Sequence, residues 1–201
     1  MTLADSLTTS RLIFSPLFFI FFFAAEWFHT PGILTMVLLW FIFLTIEISD
    51  LLDGHFARKR NQTSDAGRLF DPFADSLSRL TYFFCFTISG LMPVWIFLIL
   101  LYRDLGVAYI RLLASGKGFS MGARLSGKVK AWVYAIAGVA GLIVITMQRT
   151  KILQFLLIII KPVSVVCIYS TGIIAIWSLI DYALGMLSVK RDNRYEKKNG
   201  N

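Results

Sequence analysis

Charged residues are scarce in this chain: Asp, Glu, Lys and Arg make up 16% of its 201 residues, whereas 57% are hydrophobic. Soluble globular domains are typically about 45–50% apolar and about 25% charged, so this composition argues against an ordinary soluble protein. Cysteine is also nearly absent. Cys85 and Cys167 lie in apolar runs without a C-x-x-C pair or a Cys/His cluster, which indicates packing residues rather than a disulfide framework or a zinc site.

Long apolar runs dominate the rest of the sequence, and they approach the roughly 20 residues that a helix needs to cross a bilayer. We therefore predict an all-α integral membrane protein with six transmembrane helices. The predicted spans are about 12–28, 33–52, 68–90, 94–115, 131–147 and 162–188. They form one membrane domain over residues 1–189, followed by a basic cytoplasmic tail over residues 190–201. Glu47 lies in the second span, and we expect it to face the bundle interior.

The distribution of cations predicts an orientation in the bilayer. With the amino terminus inside, every Lys and Arg except Arg149, Lys151 and Lys161 falls on or near the cytoplasmic side. This bias predicts a multi-pass protein of the cell inner (plasma) membrane with both termini cytoplasmic. The formal net charge of +8 does not indicate a nucleic-acid partner, because no basic stripe with interleaved aromatic residues is present.

Four carboxylates stand out at the end of the second span and the start of the third. Asp50 and Asp53 are three residues apart, and Asp71 and Asp75 are four apart, so each pair shares a helix face. The polar link 58–68 is short, which makes the two helices antiparallel neighbours. Carboxylate oxygens suit hard cations that handle phosphate, so the pattern predicts a site for Mg²⁺ or Mn²⁺ at the cytoplasmic face. The structural alternative is a row of helix-end acids paired with cations of the link.

The same region carries a longer motif. Eight positions form the pattern Asp50-x-x-Asp53-Gly54-x-x-Ala57-Arg58, eight further residues, and Gly67-x-x-x-Asp71-x-x-x-Asp75. This pattern resembles the full signature of the CDP-alcohol phosphatidyltransferases. The resemblance implies that the pyrophosphate of CDP-diacylglycerol binds on two Mg²⁺ or Mn²⁺ ions, that an alcohol hydroxyl attacks the lipid-side phosphorus, and that CMP leaves. It also implies a homodimer in a lipid bilayer.

The resemblance assigns roles to individual residues. The metal ligands would be Asp50, Asp53, Asp71 and Asp75. Asp75 would also be the catalytic base that takes the proton of the attacking hydroxyl. The CDP pocket would be lined by Asp53, Gly54, Ala57, Arg58 and Gly67.

Further features are similar to those of bacterial family members that use glycerol 3-phosphate as acceptor: Leu7-Thr8-x-x-Arg11, Arg103-Asp104 and Gly127-Lys128-x-Lys130. A dianionic acceptor phosphate needs cations, and the candidates are Arg103, Arg111, Lys128, Lys130 and Arg11. The alternative for these residues is a role as positive-inside anchors. Ser76 stands where those relatives usually have Lys, which leaves inositol phosphate, serine or a choline-type head group open as acceptors.

Two non-enzymatic hypotheses compete with this interpretation. A cation or proton transporter would place its acids near the midpoints of the spans, whereas these acids lie at predicted cytoplasmic ends. A purely structural membrane protein would leave the four carboxylates unexplained.

Overall fold

The chain folds into an all-α bundle in the computed structural model. The backbone is described for residues 3–28, 32–60, 65–115 and 124–199, and side chains for residues 9–24, 26–28, 32–50, 73–114 and 124–188. The helices are α1 (Leu3–Phe28), α2 (Gly32–Arg60), α3 (Asp65–Ile88), α4 (Val94–Ser115), α5 (Leu125–Thr150) and α6 (Leu157–Asn199), with one 3₁₀ turn at Gln154–Leu156 before α6. No strand occurs in these ranges.

Three stretches of the described helices are long and apolar enough to cross a membrane: Gly32–Asp50, Leu125–Thr150 and Gln154–Ser188. A fourth apolar stretch, Thr9–Ala24, is shorter. A helix needs about 20 apolar residues to span the hydrocarbon layer, so the length and composition of these helices fit a membrane protein.

Helix boundaries differ from the predicted spans mainly at polar ends. The third helix begins at Asp65 and the fifth at Leu125, several residues earlier than the apolar runs suggest. Polar residues without proline continue a helix beyond its apolar part, and hydropathy alone does not detect them. The predicted break between the third span, which ends near 90, and the fourth, which begins near 94, is confirmed: α3 ends at Ile88, α4 begins at Val94, and Gly90 between them has a φ of 76°, a conformation that suits glycine.

The bundle is centred on aromatic side chains. Helix α1 packs against α2 and α3, and α6 packs against α4 and α5. Residues that are at most 1% exposed in this core include Phe18, Phe22, Phe43, Tyr82, Phe83 and Phe86. Glu47 lies inside the bundle as expected, with a side chain that is only 12% exposed.

Two glycines of α5 allow this aromatic core to close. A Cβ atom at Gly138 would lie 2.9 Å from Cε2 of Phe43, and one at Gly141 would overlap the ring of Phe86. Both rings are fully buried, so neither has open space to move into. The close approach of α5 to α2 and α3 therefore depends on the absence of side chains at these two positions.

We expect Gly141→Ala to lower the free energy of unfolding by about 1–3 kcal/mol, because the added methyl group overpacks a closed core. The measurement is the thermal unfolding temperature of the protein in detergent. Gly172→Ala is the matched control, since a Cβ there would lie at an ordinary contact distance of 3.6 Å from Ile96. Equal unfolding temperatures for the two variants would contradict the packing argument.

Candidate active site

A buried arginine brings carboxylates of two helices together. The Arg79 guanidinium of α3 contacts Asp75 of the same helix (Nε to Oδ1, 2.9 Å) and Asp50 of α2 (Nη2 to Oδ2, 2.8 Å). It also reaches Oε2 of Glu47 at 3.4 Å and donates to the backbone oxygen of Ala131 on α5. The Arg79 side chain is 3% exposed. Glu47, Asp50 and Asp75, here called the carboxylate cluster, therefore meet around one positive charge.

Arg11 belongs to the same region. Its Nη1 atom lies 3.2 Å from Oδ1 of Asp50, and its side chain is 2% exposed. The sequence assigned Arg11 to an acceptor phosphate, but the structure places it on a carboxylate. Asp50 thus has a cation at each of its two oxygens, Arg11 at one and Arg79 at the other.

A cavity of about 350 Å³ opens beside the carboxylate cluster. Both signs of charge face it, with Asp50 and Asp75 among its lining residues and the cations of α4 and α5 among the others. Its lining comprises Asp50, Asp75, Ser76, Arg103, Asp104, Val107, Ala108, Arg111, Gly127, Lys128, Lys130, Ala131 and Tyr182. Four of the five residues that the sequence assigned to an acceptor phosphate therefore share one cavity with two of the predicted metal ligands.

The cations of this cavity are partly neutralised by one buried acid. Oδ1 of Asp104 accepts hydrogen bonds from Nη1 of Arg103 at 2.6 Å and from Nζ of Lys130 at 3.1 Å. Arg103 also donates to the Ser178 hydroxyl of α6 at 2.6 Å. Asp104 is 4% exposed, and burying an acid of this kind requires such partners. One carboxylate thus fixes two cations from α4 and α5.

A second cluster of hydrogen-bonded polar side chains joins α4, α5 and α6. Nη2 of Arg111 donates to the Tyr182 hydroxyl at 2.7 Å. The neighbouring Asp181 accepts two hydrogen bonds from the Arg124 guanidinium, at 2.6 and 2.7 Å, and one from the Ser126 hydroxyl. Such paired contacts between a guanidinium and a carboxylate fix geometry as well as charge.

The other predicted site residues lie outside the described side chains. These are Asp53, Gly54, Ala57, Arg58, Gly67 and Asp71, and the two predicted carboxylate pairs are therefore each represented by one described member. Among the residues whose side chains are described, no group of three or more His, Cys, Asp or Glu residues is placed to hold a metal ion. Asp50 and Asp75, however, contact the same guanidinium, and their oxygens are the ligand type that hard divalent cations take.

Sequence reasoning missed Arg79 and Tyr182. Arg79 follows Asp75 by four residues, a spacing that places both on one helix face, so a search for charge pairs would have found it. Tyr182 contacts residues more than 50 positions away and has no local pattern that marks it.

Removal of the Arg79 charge should destabilise the protein. We expect Arg79→Leu to lower the free energy of unfolding by about 3–5 kcal/mol, because it leaves buried acids without their shared counterion. Denaturant unfolding in detergent measures the difference. Lys161→Leu is the control, since it removes an exposed cation of α6. An Arg79→Leu variant as stable as this control would refute the assigned role of the guanidinium.

Comparison with known proteins supports the family resemblance that the motif indicated. The chain is similar to proteins named CDP-diacylglycerol–glycerol-3-phosphate 3-phosphatidyltransferase from Treponema pallidum (strain Nichols; 36% identity over 67% of this chain), Bacillus subtilis (strain 168; 31% over 48%) and Aquifex aeolicus (strain VF5; 38% over 52%). The aligned segments span 65%, 50% and 55% of these relatives' own lengths, less than two thirds of each. The sequence profile described as CDP-alcohol phosphatidyltransferase matches residues 1–179. The chain therefore belongs to the CDP-alcohol phosphatidyltransferase family.

Proposed function

We propose that this protein transfers a phosphatidyl group from CDP-diacylglycerol to the hydroxyl of glycerol 3-phosphate and releases CMP. The observation that carries the proposal is the cavity in which Asp50 and Asp75 stand together with Arg103, Arg111, Lys128 and Lys130. Acids on one part of the wall suit metal-bound pyrophosphate, and cations on another part suit a second, metal-free phosphate. The names of the relatives agree with this substrate pair.

The donor side of the site would be built from the motif. Asp50, Asp53, Asp71 and Asp75 would hold two Mg²⁺ or Mn²⁺ ions, and family membership supports dependence on divalent metals. When bound, such ions neutralise phosphate oxygens and stabilise the leaving phosphate. The CDP group would bind beside Asp53 at Gly54, Ala57, Arg58 and Gly67.

The acceptor side would be built from the cations of α4 and α5. Arg103 and Arg111 both line the cavity, so their guanidinium groups bring fixed positive charge to it. A dianionic phosphate in the cavity would be attracted by these charges. Lys128 and Lys130 add positive charge to the same cavity.

The reaction needs one proton transfer and one displacement. Asp75 would accept the proton of the acceptor hydroxyl, because it lines the cavity that would hold the acceptor. The hydroxyl oxygen then forms a bond to the lipid-side phosphorus. The bond from that phosphorus to the bridging pyrophosphate oxygen breaks, and its electrons leave with CMP.

The proposal includes a placement in the cell. Residues 1–189 would form a six-span domain in the inner (plasma) membrane, and residues 190–201 a basic tail. Both termini and the cavity would face the cytoplasm, as the positions of the cations favour. Two copies would form a homodimer, as expected from the family.

An acceptor screen tests the proposed function. The full chain in detergent, with CDP-diacylglycerol and Mg²⁺, should release CMP with glycerol 3-phosphate and not with inositol phosphate, inositol, serine or choline. The screen includes other acceptors because Ser76, the position at which the sequence departs from the resemblance, lines the cavity. CMP release with another acceptor alone would refute glycerol 3-phosphate as the substrate, and the absence of CMP release with every acceptor would refute the donor.

The metal proposal makes a separate prediction. Excess EDTA should abolish CMP release, and added Mg²⁺ or Mn²⁺ should restore it. Asp75→Asn should lower the rate by at least about 100-fold at any metal concentration, because it removes both a ligand and the base. Glu26→Gln is the control, since Glu26 is 62% exposed and pairs with Arg149 rather than with a cavity residue. Full activity in EDTA, or an active Asp75→Asn variant, would contradict the mechanism.

A further inference from the structure

Tyr182 is a buried residue at the acceptor side of the cavity that the sequence motif does not include. It is 0% exposed and lies on the cavity wall. Its hydroxyl accepts the hydrogen bond from Nη2 of Arg111 at 2.7 Å. Its ring also faces two guanidinium groups, with the central carbon of Arg111 at 5.2 Å from the ring centroid and that of Arg103 at 5.8 Å. One phenol therefore contacts two of the cations proposed to bind the acceptor phosphate.

The position of Arg111 depends on this phenol. A guanidinium has donors but no acceptor, so its orientation is set by the acceptors around it. The Tyr182 hydroxyl supplies one such acceptor to Nη2, and Nε is left buried without a partner among the described residues. The ring and the hydroxyl together hold the guanidinium by charge–ring attraction and by a charged hydrogen bond.

Gly127 provides the space in which the hydroxyl lies. A Cβ atom at this position would be 3.1 Å from the Tyr182 hydroxyl oxygen, but 3.7 and 3.8 Å from the nearest ring carbons. The first distance is tighter than an ordinary contact, whereas the other two are ordinary van der Waals distances. The methyl group of an alanine at 127 would therefore crowd the hydroxyl while leaving room for the ring.

The start of α5 is fixed against α6 close to Gly127 and Tyr182. Arg124 and Ser126 both bind Asp181, the residue before Tyr182, and the backbone N–H of Arg124 lies 3.4 Å from the Tyr182 hydroxyl. These contacts hold the backbone at Gly127 next to Tyr182, so α5 has little freedom to move away, and a new methyl group would push against the hydroxyl instead.

We propose that Tyr182 is a positioning residue for the acceptor: it orients Arg111 toward the acceptor phosphate, and Gly127 keeps the space that its hydroxyl needs. This inference rests on the proposed function, since it assigns a role within the same cavity. It adds to the reaction a residue of α6 that acts through Arg111 and not on the reacting atoms.

The first test is Tyr182→Phe in the full chain in detergent. We expect KM for glycerol 3-phosphate to rise about tenfold, the scale of one lost hydrogen bond to a charged group, while KM for CDP-diacylglycerol stays within about twofold. Tyr169→Phe on the same helix is the matched control, since its ring contacts Trp95 and lies apart from the cavity. A general loss of structure would change both KM values or the unfolding temperature. An unchanged KM for glycerol 3-phosphate, or an equal rise for both substrates, would overturn the inference.

A double-mutant cycle tests the role of Gly127. Gly127→Ala should raise KM for glycerol 3-phosphate by a similar factor, because the methyl group displaces the hydroxyl. The variant that combines Gly127→Ala with Tyr182→Phe should be no worse than Tyr182→Phe alone, because the hydroxyl that the methyl group would displace is gone. If the rises in KM of the two single variants multiply in the double variant, the two residues act independently, and the argument that they share one space is contradicted.

A binding measurement separates this inference from the proposed reaction. Glycerol 3-phosphate, and inorganic phosphate as a probe of the anion site alone, should raise the unfolding temperature of the wild-type chain more than that of Tyr182→Phe. This result without CMP release would refute the reaction and retain the role of Tyr182. The opposite combination, CMP release with equal stabilisation of both chains, would retain the reaction and refute that role. If neither chain is stabilised by either ligand, the inference fails.

Discussion

The Arg79 guanidinium lies between three carboxylates from two helices, and the acidic part of the cavity depends on it. Glu47 and Asp50 come from α2, Asp75 from α3, and the same arginine binds the backbone oxygen of Ala131 on α5. Three acids that share a mostly buried region repel one another and lose hydration, so a fixed counterion stabilises their close approach. One side chain thus sets the relative positions of three helices at the level where the chemistry is proposed.

The cavity has an acidic part and a basic part, and the ratio of acids to cations differs between them. On the acidic part, Asp50 contacts both Arg11 and Arg79, and Arg79 is shared with Glu47 and Asp75. On the basic part, Asp104 is the acid that contacts Arg103 and Lys130, while Arg111 and Lys128 line the same space. Cations therefore exceed acids on this part of the wall, an imbalance that favours an anionic ligand. The donor and acceptor phosphates of the proposed reaction would occupy these two parts of the cavity.

Sequence patterns predicted the parts of the structure that have local signals. The helical bundle follows from the apolar runs, the break at Gly90 from glycine and proline, and the inward position of Glu47 from its place in an apolar helix. The family resemblance grouped Arg103 with Lys130, but their shared hydrogen-bond partner Asp104 could be found only from the fold, because no local pattern joins residues 104 and 130. Tyr182 and Asp181 were missed for the same reason: their partners lie on α4 and near the start of α5, and no helical periodicity encodes contacts across such separations.

The shared space between Gly127 and Tyr182 has a consequence for the order in which this chain can accept substitutions at the two positions. The Cβ atom of an alanine at 127 would crowd the hydroxyl but not the ring. Mutational paths are therefore ordered: a lineage that first exchanges the tyrosine for phenylalanine can afterwards accept alanine at 127, whereas the reverse order passes through a crowded intermediate. Residues 127 and 182 are therefore coupled: which residue one position accepts depends on which residue stands at the other.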